Sequence, residues 1–146
     1  MKQRMNIAQV EPGAYKGLLA TQQYLHSTGL SKIELGLIYI RASQINGCAY
    51  CLDMHTKDAL KDGETAQRIF VLDGWQETTL FSEEEALILK MTEEITRITE
   101  KGLSEETYTA AAAHFDEHKI AQIIMAIVTI NAWNRIAIST HLQIPV

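Results

Sequence analysis

The sequence predicts an all-α protein. Serine-led capping boxes, Ser31-Lys32-Ile33-Glu34 and Ser82-Glu83-Glu84-Glu85, open two segments, and Ser104 stands before a third. Glycines close segments of helical length, and apolar residues recur at three- and four-residue spacing rather than in the alternation of a half-buried strand.

Each helix follows from its own signals. The first covers residues 14–28, with Tyr15, Leu18, Leu19, Tyr24 and Leu25 as its apolar positions, and stops at Gly29. The second starts at the Ser31 cap and runs to about Asn46; its stretch 33–40 resembles strand locally, but the cap and the length decide for helix. A third runs from Cys48 to near Gly63, and a short fourth, residues 64–72, ends before Gly74. Ser82 opens a helix with Leu87, Ile88, Met91, Ile95 and Ile98 on one face, closed by Gly102. Ser104 caps residues 105–115, and a long helix over residues 117–139 completes a compact multi-helix bundle, expected as one domain spanning 1–146.

Composition narrows the function. With 47% apolar residues in 146, the chain can bury a sizeable core. A net charge of −5, with basic residues scattered, argues against nucleic acid or an anionic membrane as partner. The most apolar stretch, residues 120–133, is interrupted by Gln122, Thr129 and Asn131 and is shorter than a bilayer span. The segment Met1-Lys2-Gln3-Arg4-Met5-Asn6-Ile7 lacks the apolar run of a signal peptide, which points to the cytoplasm.

Both cysteines lie in Cys48-Ala49-Tyr50-Cys51-Leu52-Asp53-Met54-His55. On a helix, Cys48, Cys51 and His55 fall on one face, with His55 one turn beyond Cys51. Asn46-Gly47 is a turn signal, so Cys48 sits at a helix start, where unpaired N–H groups and the macrodipole favour a thiolate. Cysteines three apart on a helix are close enough for a disulfide, so the pair reads as a redox centre with an adjacent base. Other readings stay open. A structural disulfide would not persist in a reducing cytosol. Inert buried thiols are a further possibility. A zinc site could recruit His114 and His118, but the gap from Cys51 is far longer than in a zinc finger and no second C-x-x-C is present.

The region from Ile40 to Asp58, together with Asn131-Ala132-Trp133-Asn134-Arg135, resembles the alkylhydroperoxidase D-like branch of the carboxymuconolactone decarboxylase family. The resemblance implies an all-helical homo-oligomer, a trimer or hexamer, whose cysteine pair reduces hydroperoxides without a cofactor and is restored by a thiol or lipoyl-type reductant. By the same resemblance Cys51 is the attacking cysteine, Cys48 the resolving one and His55 the relay histidine. Tyr50 stands where some members have a second histidine. The family pattern has a glutamate twelve residues before the first cysteine, and this chain has Gly36 there. Glu34 is a candidate relay or cap: it is turned about 200° from that direction on a helix, and its place in the Ser31 capping box favours the cap. Helix geometry alone makes Cys48 the lower-pKa thiol, whereas His55 acts mainly on Cys51.

The activity expected is therefore an antioxidant, peroxidase-like one. The alternatives are a general thiol–disulfide oxidoreductase and a non-enzymatic zinc-binding or redox-sensing oligomer. A decarboxylase role would leave the cysteine pair without a chemical part. Trp75, Phe81 and Trp133 are too dispersed for a cofactor box and read as core or interface residues. The acidic residues 83–85, 93 and 94 read as helix-start charges and a solvated face, and His26 and His141 as surface residues. Arg135, breaking an apolar helix beside Asn131 and Asn134, reads as an internal or intersubunit ion-pair partner.

Overall fold

Serine caps set where three of the helices begin, at Ser31, Ser82 and Ser104. In a computed structural model of the chain, which describes residues 2–145, Ser31 Oγ accepts the Glu34 N–H and the Glu34 carboxylate reaches back to the Ser31 N–H; Ser82 and Glu85 make the same reciprocal pair. Met1 and Val146, the ends of the expected domain, lie outside the described residues.

The helices are α1 (Ile7–Val10), α2 (Pro12–Leu25), α3 (Lys32–Asn46), α4 (Ala49–Lys61), α5 (Ala66–Val71), α6 (Glu83–Thr96), α7 (Glu105–His114) and α8 (Glu117–Thr140), with a 3₁₀ segment at Leu72–Glu77. No strand occurs among the described residues, so the all-α expectation holds. Several boundaries differ from the sequence reading. Asn6 caps the unforeseen α1 by accepting the Ala8 N–H, and α2 starts at Pro12, whose fixed φ suits the first helical position. That helix ends at Leu25 rather than Thr28, the Thr28 hydroxyl bonding to the Leu25 carbonyl. The expected short helix over residues 64–72 divides into α5 and the start of the 3₁₀ segment, and the helical backbone is broken at Gly74, where φ −105° and ψ 28° make a kink. Ile98 leaves the predicted apolar face because α6 ends at Thr96, and it is 60% exposed.

Helix α3 is the centre of the fold. It packs against α4, α6 and α8, and every residue from Leu37 to Ser43 is buried. Leu35, Ile38, Tyr39 and Ala42 join one apolar cluster with α6 and α8, while Leu37 and Ile40 join another with Ala59, Leu72, Trp75 and Phe81. A helix apolar around its circumference must be covered on all sides. This explains why its sequence lacks a one-sided pattern. Buried Arg41 is neutralised there by Glu93, at 2.8 Å, and by Asp73; Trp75 donates to the same Glu93 carboxylate.

Helix α8 extends beyond the stretch 120–133, and at 24 residues it is long and apolar enough to span a bilayer by length and composition. Here its Ile120, Ile123, Ile127 and Ile130 pack into the core beside α3 and α6. Ile127→Ala is expected to lower stability by about 3–4 kcal/mol, from lost burial plus the cavity left behind, because Ile127 is fully buried. The exposed Ile98→Ala is expected to change it by less than about 0.5 kcal/mol. Urea unfolding of the two variants checks both.

Candidate functional site

A two-residue link, Gly47-Cys48, joins α3 to α4. Gly47 has φ +67°, a left-handed conformation that glycine adopts without the Cβ penalty. Its N–H and that of Cys48 close α3 through the Gln44 and Ser43 carbonyls, at 3.2 and 3.0 Å. The turn is held from behind by amides. Asn46 donates to Asn131 and Asn134 at 3.0 and 2.9 Å, and Asn134 donates to Ser43 at 3.0 Å.

Cys48 is therefore the N-cap of α4 rather than its first helical residue. Its sulfur accepts the Cys51 N–H at 3.3 Å. The two cysteines form a disulfide, with Cα atoms 5.3 Å apart and residue exposures of 1% and 2%. Tyr50, Ala137 and Leu142 pack around them. Leu142 arrives there because His141, with φ +54°, ends α8 in a left-handed turn and Leu142 N–H bonds back to the Ala137 carbonyl.

The two buried cysteines line different spaces. Cys51 lines a pocket of about 230 Å³ with His55, Tyr15, Leu19, Trp133 and Ile136. Cys48 lines a wider hollow of about 440 Å³ with His141 and the chain end at Gln143 and Ile144. Tyr50, Ala137 and Leu142 belong to both and form the wall between them. His55 lies one turn beyond Cys51, is 7% exposed and packs against the Tyr39 ring, with centroids 4.8 Å apart. Burial pushes its imidazole down to about 4, against the opposing charge of Asp58 and with that of His26. Burial also raises the Tyr39 phenol to about 12.

Glu34 is engaged elsewhere. Its carboxylate holds the Ser31 cap and accepts from Lys119 at 2.7 Å, and it lines neither space that His55 lines. Burial acts to raise its pKa, but the bonds from Lys119 and Ser31 outweigh that and hold it below the usual carboxylate value. His114 and His118 line a separate hollow with Glu84, Asp116 and Lys119, away from the spaces the cysteines line.

Arg135 does not fill its expected internal role: it donates to the Asn131 carbonyl and side chain and reaches no carboxylate among the described residues. Trp75 and Phe81 are core residues. Trp133 instead walls the Cys51 pocket, edge-on to Tyr15 at 5.1 Å. Its place in the motif 131–135 was the signal available in the sequence. Tyr15, Leu19 and Leu142 carried no comparable signal.

The sequence model of the carboxymuconolactone decarboxylase family matches residues 12–94, which include the cysteine pair and His55. The uncharacterized protein YdfG of Bacillus subtilis is 40% identical over 139 residues, 95% of each chain. Among solved structures, ATU0492 of Agrobacterium tumefaciens, a protein of unknown function and candidate AhpD antioxidant-defence protein, superposes with a TM-score of 0.95 at 39% identity, covering 99% of both chains. An uncharacterized peroxidase-related protein of Ralstonia eutropha JMP134 with an AhpD core superposes at 0.82 and 17% identity, covering 95% of this chain and 74% of that one.

Buried, neutral His55 ties stability to pH. Folding lowers its pKa from 6.5 to about 4, so the unfolded chain binds the proton more readily in that window. The stabilisation is fully present above the unfolded value and is lost as pH falls through it. Between about pH 6.5 and 5 the oxidised protein is expected to lose roughly 1.5 kcal/mol more than a His55→Gln variant. Glu34, Glu85 and Glu94 titrate below 4.5 and leave this window undisturbed. Urea midpoints of the two proteins across the range provide the check.

Proposed function

The chain belongs to the carboxymuconolactone decarboxylase family, in its alkylhydroperoxidase D-like branch, and from that premise we propose that it is a thiol-dependent peroxidase that reduces hydroperoxides through a Cys48/Cys51 dithiol–disulfide cycle. The observation that carries this reading is the sharing of one largely apolar pocket by Cys51 and His55, with Cys48 bonded to Cys51 and opening on the other side of the wall.

In the reduced protein, neutral His55 takes the Cys51 thiol proton, and the thiolate attacks the distal oxygen of the hydroperoxide. The O–O bond breaks. The departing alkoxide receives the proton from His55 and leaves as the alcohol, and Cys51 becomes a sulfenic acid. Cys48 sits at the helix N-terminus with the Cys51 N–H aimed at its sulfur, which favours its thiolate. It attacks the Cys51 sulfur, closing the disulfide and expelling hydroxide, which takes up the Cys48 proton as water. A dithiol reductant, of free-thiol or lipoyl type, restores the pair by attack on Cys48 from the wider hollow. The cycle as proposed calls for no cofactor, and a reducing cytoplasm suits it.

Met125, Val128 and Ile138 leave apolar surface on α8, which supports assembly as a homo-oligomer. The second reading, a general thiol–disulfide oxidoreductase, draws on the openness of the Cys48 side, where a disulfide carried on a larger partner could reach the pair.

Stopped-flow mixing of the reduced protein with a hydroperoxide, followed by mass analysis of the cysteines, tests the assignment. Cys48→Ser is expected to trap a sulfenic acid on Cys51, and Cys51→Ser to abolish the fast reaction. His55→Ala is expected to slow it by about a hundredfold, and Glu34→Gln scarcely at all. A sulfenic acid on Cys48 in the Cys51→Ser protein, formed at the parent rate, would reverse the roles. A disulfide that forms only with protein or lipoyl disulfides would establish the second reading.

A further inference from the structure

His55 is a wall between two cavities. On one side it lines the Cys51 pocket; on the other it lines a hollow of about 90 Å³ where α2, α3 and α4 meet. That volume is several times the ~15 Å³ that one water needs. Gly36 borders the hollow, and the Cβ it lacks would stand 3.4 Å from the Ala59 Cβ.

The titratable groups around this hollow come from all three helices or their ends. His26 follows the last residue of α2, Lys32 and Tyr39 lie on α3, and Asp58 lies on α4 with Asp62 just beyond its end. Lys32 and Asp62 pair at 2.9 Å and offset each other. The Tyr39 hydroxyl is sealed from solvent and has no hydrogen-bond partner among the described residues, and the Tyr39 ring packs against His55. Asp58 lies one turn beyond His55 on the same helix, its side chain half exposed, with only a loose contact to Lys61 at 3.4 Å. The His55 imidazole packs on the Tyr39 ring, and no side-chain hydrogen bond to it is found among the described residues.

We propose that this hollow hydrates the imidazolium of His55 when Cys51 ionises, and that Asp58 is the positioning residue whose charge, acting across it, stabilises that imidazolium. The proton passes from Cys51 Sγ to one ring nitrogen of His55 while the electron pair stays on sulfur, and the other ring N–H donates to water in the hollow. No proton or electron is lost overall. Asp58 opposes the effect of burial on His55, while His26, when charged, adds to it. The inference rests on the thiolate chemistry proposed for Cys51 and places the charge partner of His55 on α4 itself.

The test uses Cys48→Ser protein, in which Cys51 is the sole thiol, and follows its alkylation by iodoacetamide against pH. Asp58→Asn is expected to slow alkylation by about tenfold below the thiol's apparent pKa, a one-unit upward shift, because a hydrogen-bonded or charge-coupled ionised group is weakened by about that much. The rates are expected to converge at alkaline pH, where the thiol ionises without help. Gly36→Met, which fills the hollow with a good helix former, is expected to shift the profile the same way without lowering the urea midpoint.

The sign is decisive. If Asp58 acted on Cys51 directly, removing its negative charge would lower the thiol pKa and speed alkylation, which would overturn the proposal. So would superimposed profiles, a deficit that persists at alkaline pH, or an undiminished Asp58→Asn effect in a His55→Gln background. Alkylation needs no peroxide. A Cys51 that ionises as described yet ignores hydroperoxides would support this inference while overturning the peroxidase reading.

Discussion

The side-chain amide of Asn46 holds the two central helices together at the point where the chain turns into its cysteine pair. Its two N–H groups go to Asn131 and Asn134 of α8, and those residues anchor in turn to Thr96 on α6 and Ser43 on α3. Three helices are thereby fixed by polar bonds within an otherwise apolar interior. Such a network helps only when its members are satisfied, because a single missing partner leaves a buried amide unpaired. The last turn of α3 has little freedom to shift, and the left-handed Gly47 then delivers Cys48 in one direction. The geometry of the redox pair depends on a clamp made of residues that do no chemistry.

From that clamp follows the difference between the two sulfurs. Cys48 caps α4 and receives a main-chain N–H; Cys51, inside the helix, has the histidine one turn on. In the proposed cycle one thiol is favoured as a thiolate by backbone dipoles and the other by a side-chain base. Leu142, carried over the pair by the left-handed His141, makes the division spatial by joining Tyr50 and Ala137 in the wall between the two spaces. In the proposed cycle, oxidant and reductant approach through separate openings, so neither must leave before the other arrives.

Most of the fold was legible because helix signals are local. The Ser31 and Ser82 boxes and the Ser104 cap each place an N-terminus to the residue, and the C-x-x-C with its histidine was visible as a spacing. The misses were tertiary. Ile98 satisfies a helical period that the chain abandons two residues earlier. Arg41 looks like an ordinary charged residue until Glu93 and Asp73 are brought to it from two other segments. Trp133, Leu19 and Tyr15 meet only when α2 lies against α8, so no window of sequence contains the Cys51 pocket. The asparagines that form the clamp are separated by 85 and 88 residues, a pairing no local pattern encodes.

A carboxylate on α3 could support His55 only while α3 and α4 keep their spacing, whereas a partner on α4 travels with the histidine. Asp58 is such a partner. Because it is half exposed, its field is weakened by water and salt, and it only partly offsets the burial that keeps His55 neutral. That balance suits a base that must accept the thiol proton and then give it up to a departing alkoxide, since a tightly paired imidazolium would hold the proton through the second step. In the proposed reaction a half-exposed Asp58 and a hydrated hollow support His55 more weakly than a fixed, buried carboxylate would. The cost falls on the rate of thiolate formation rather than on the return of the proton.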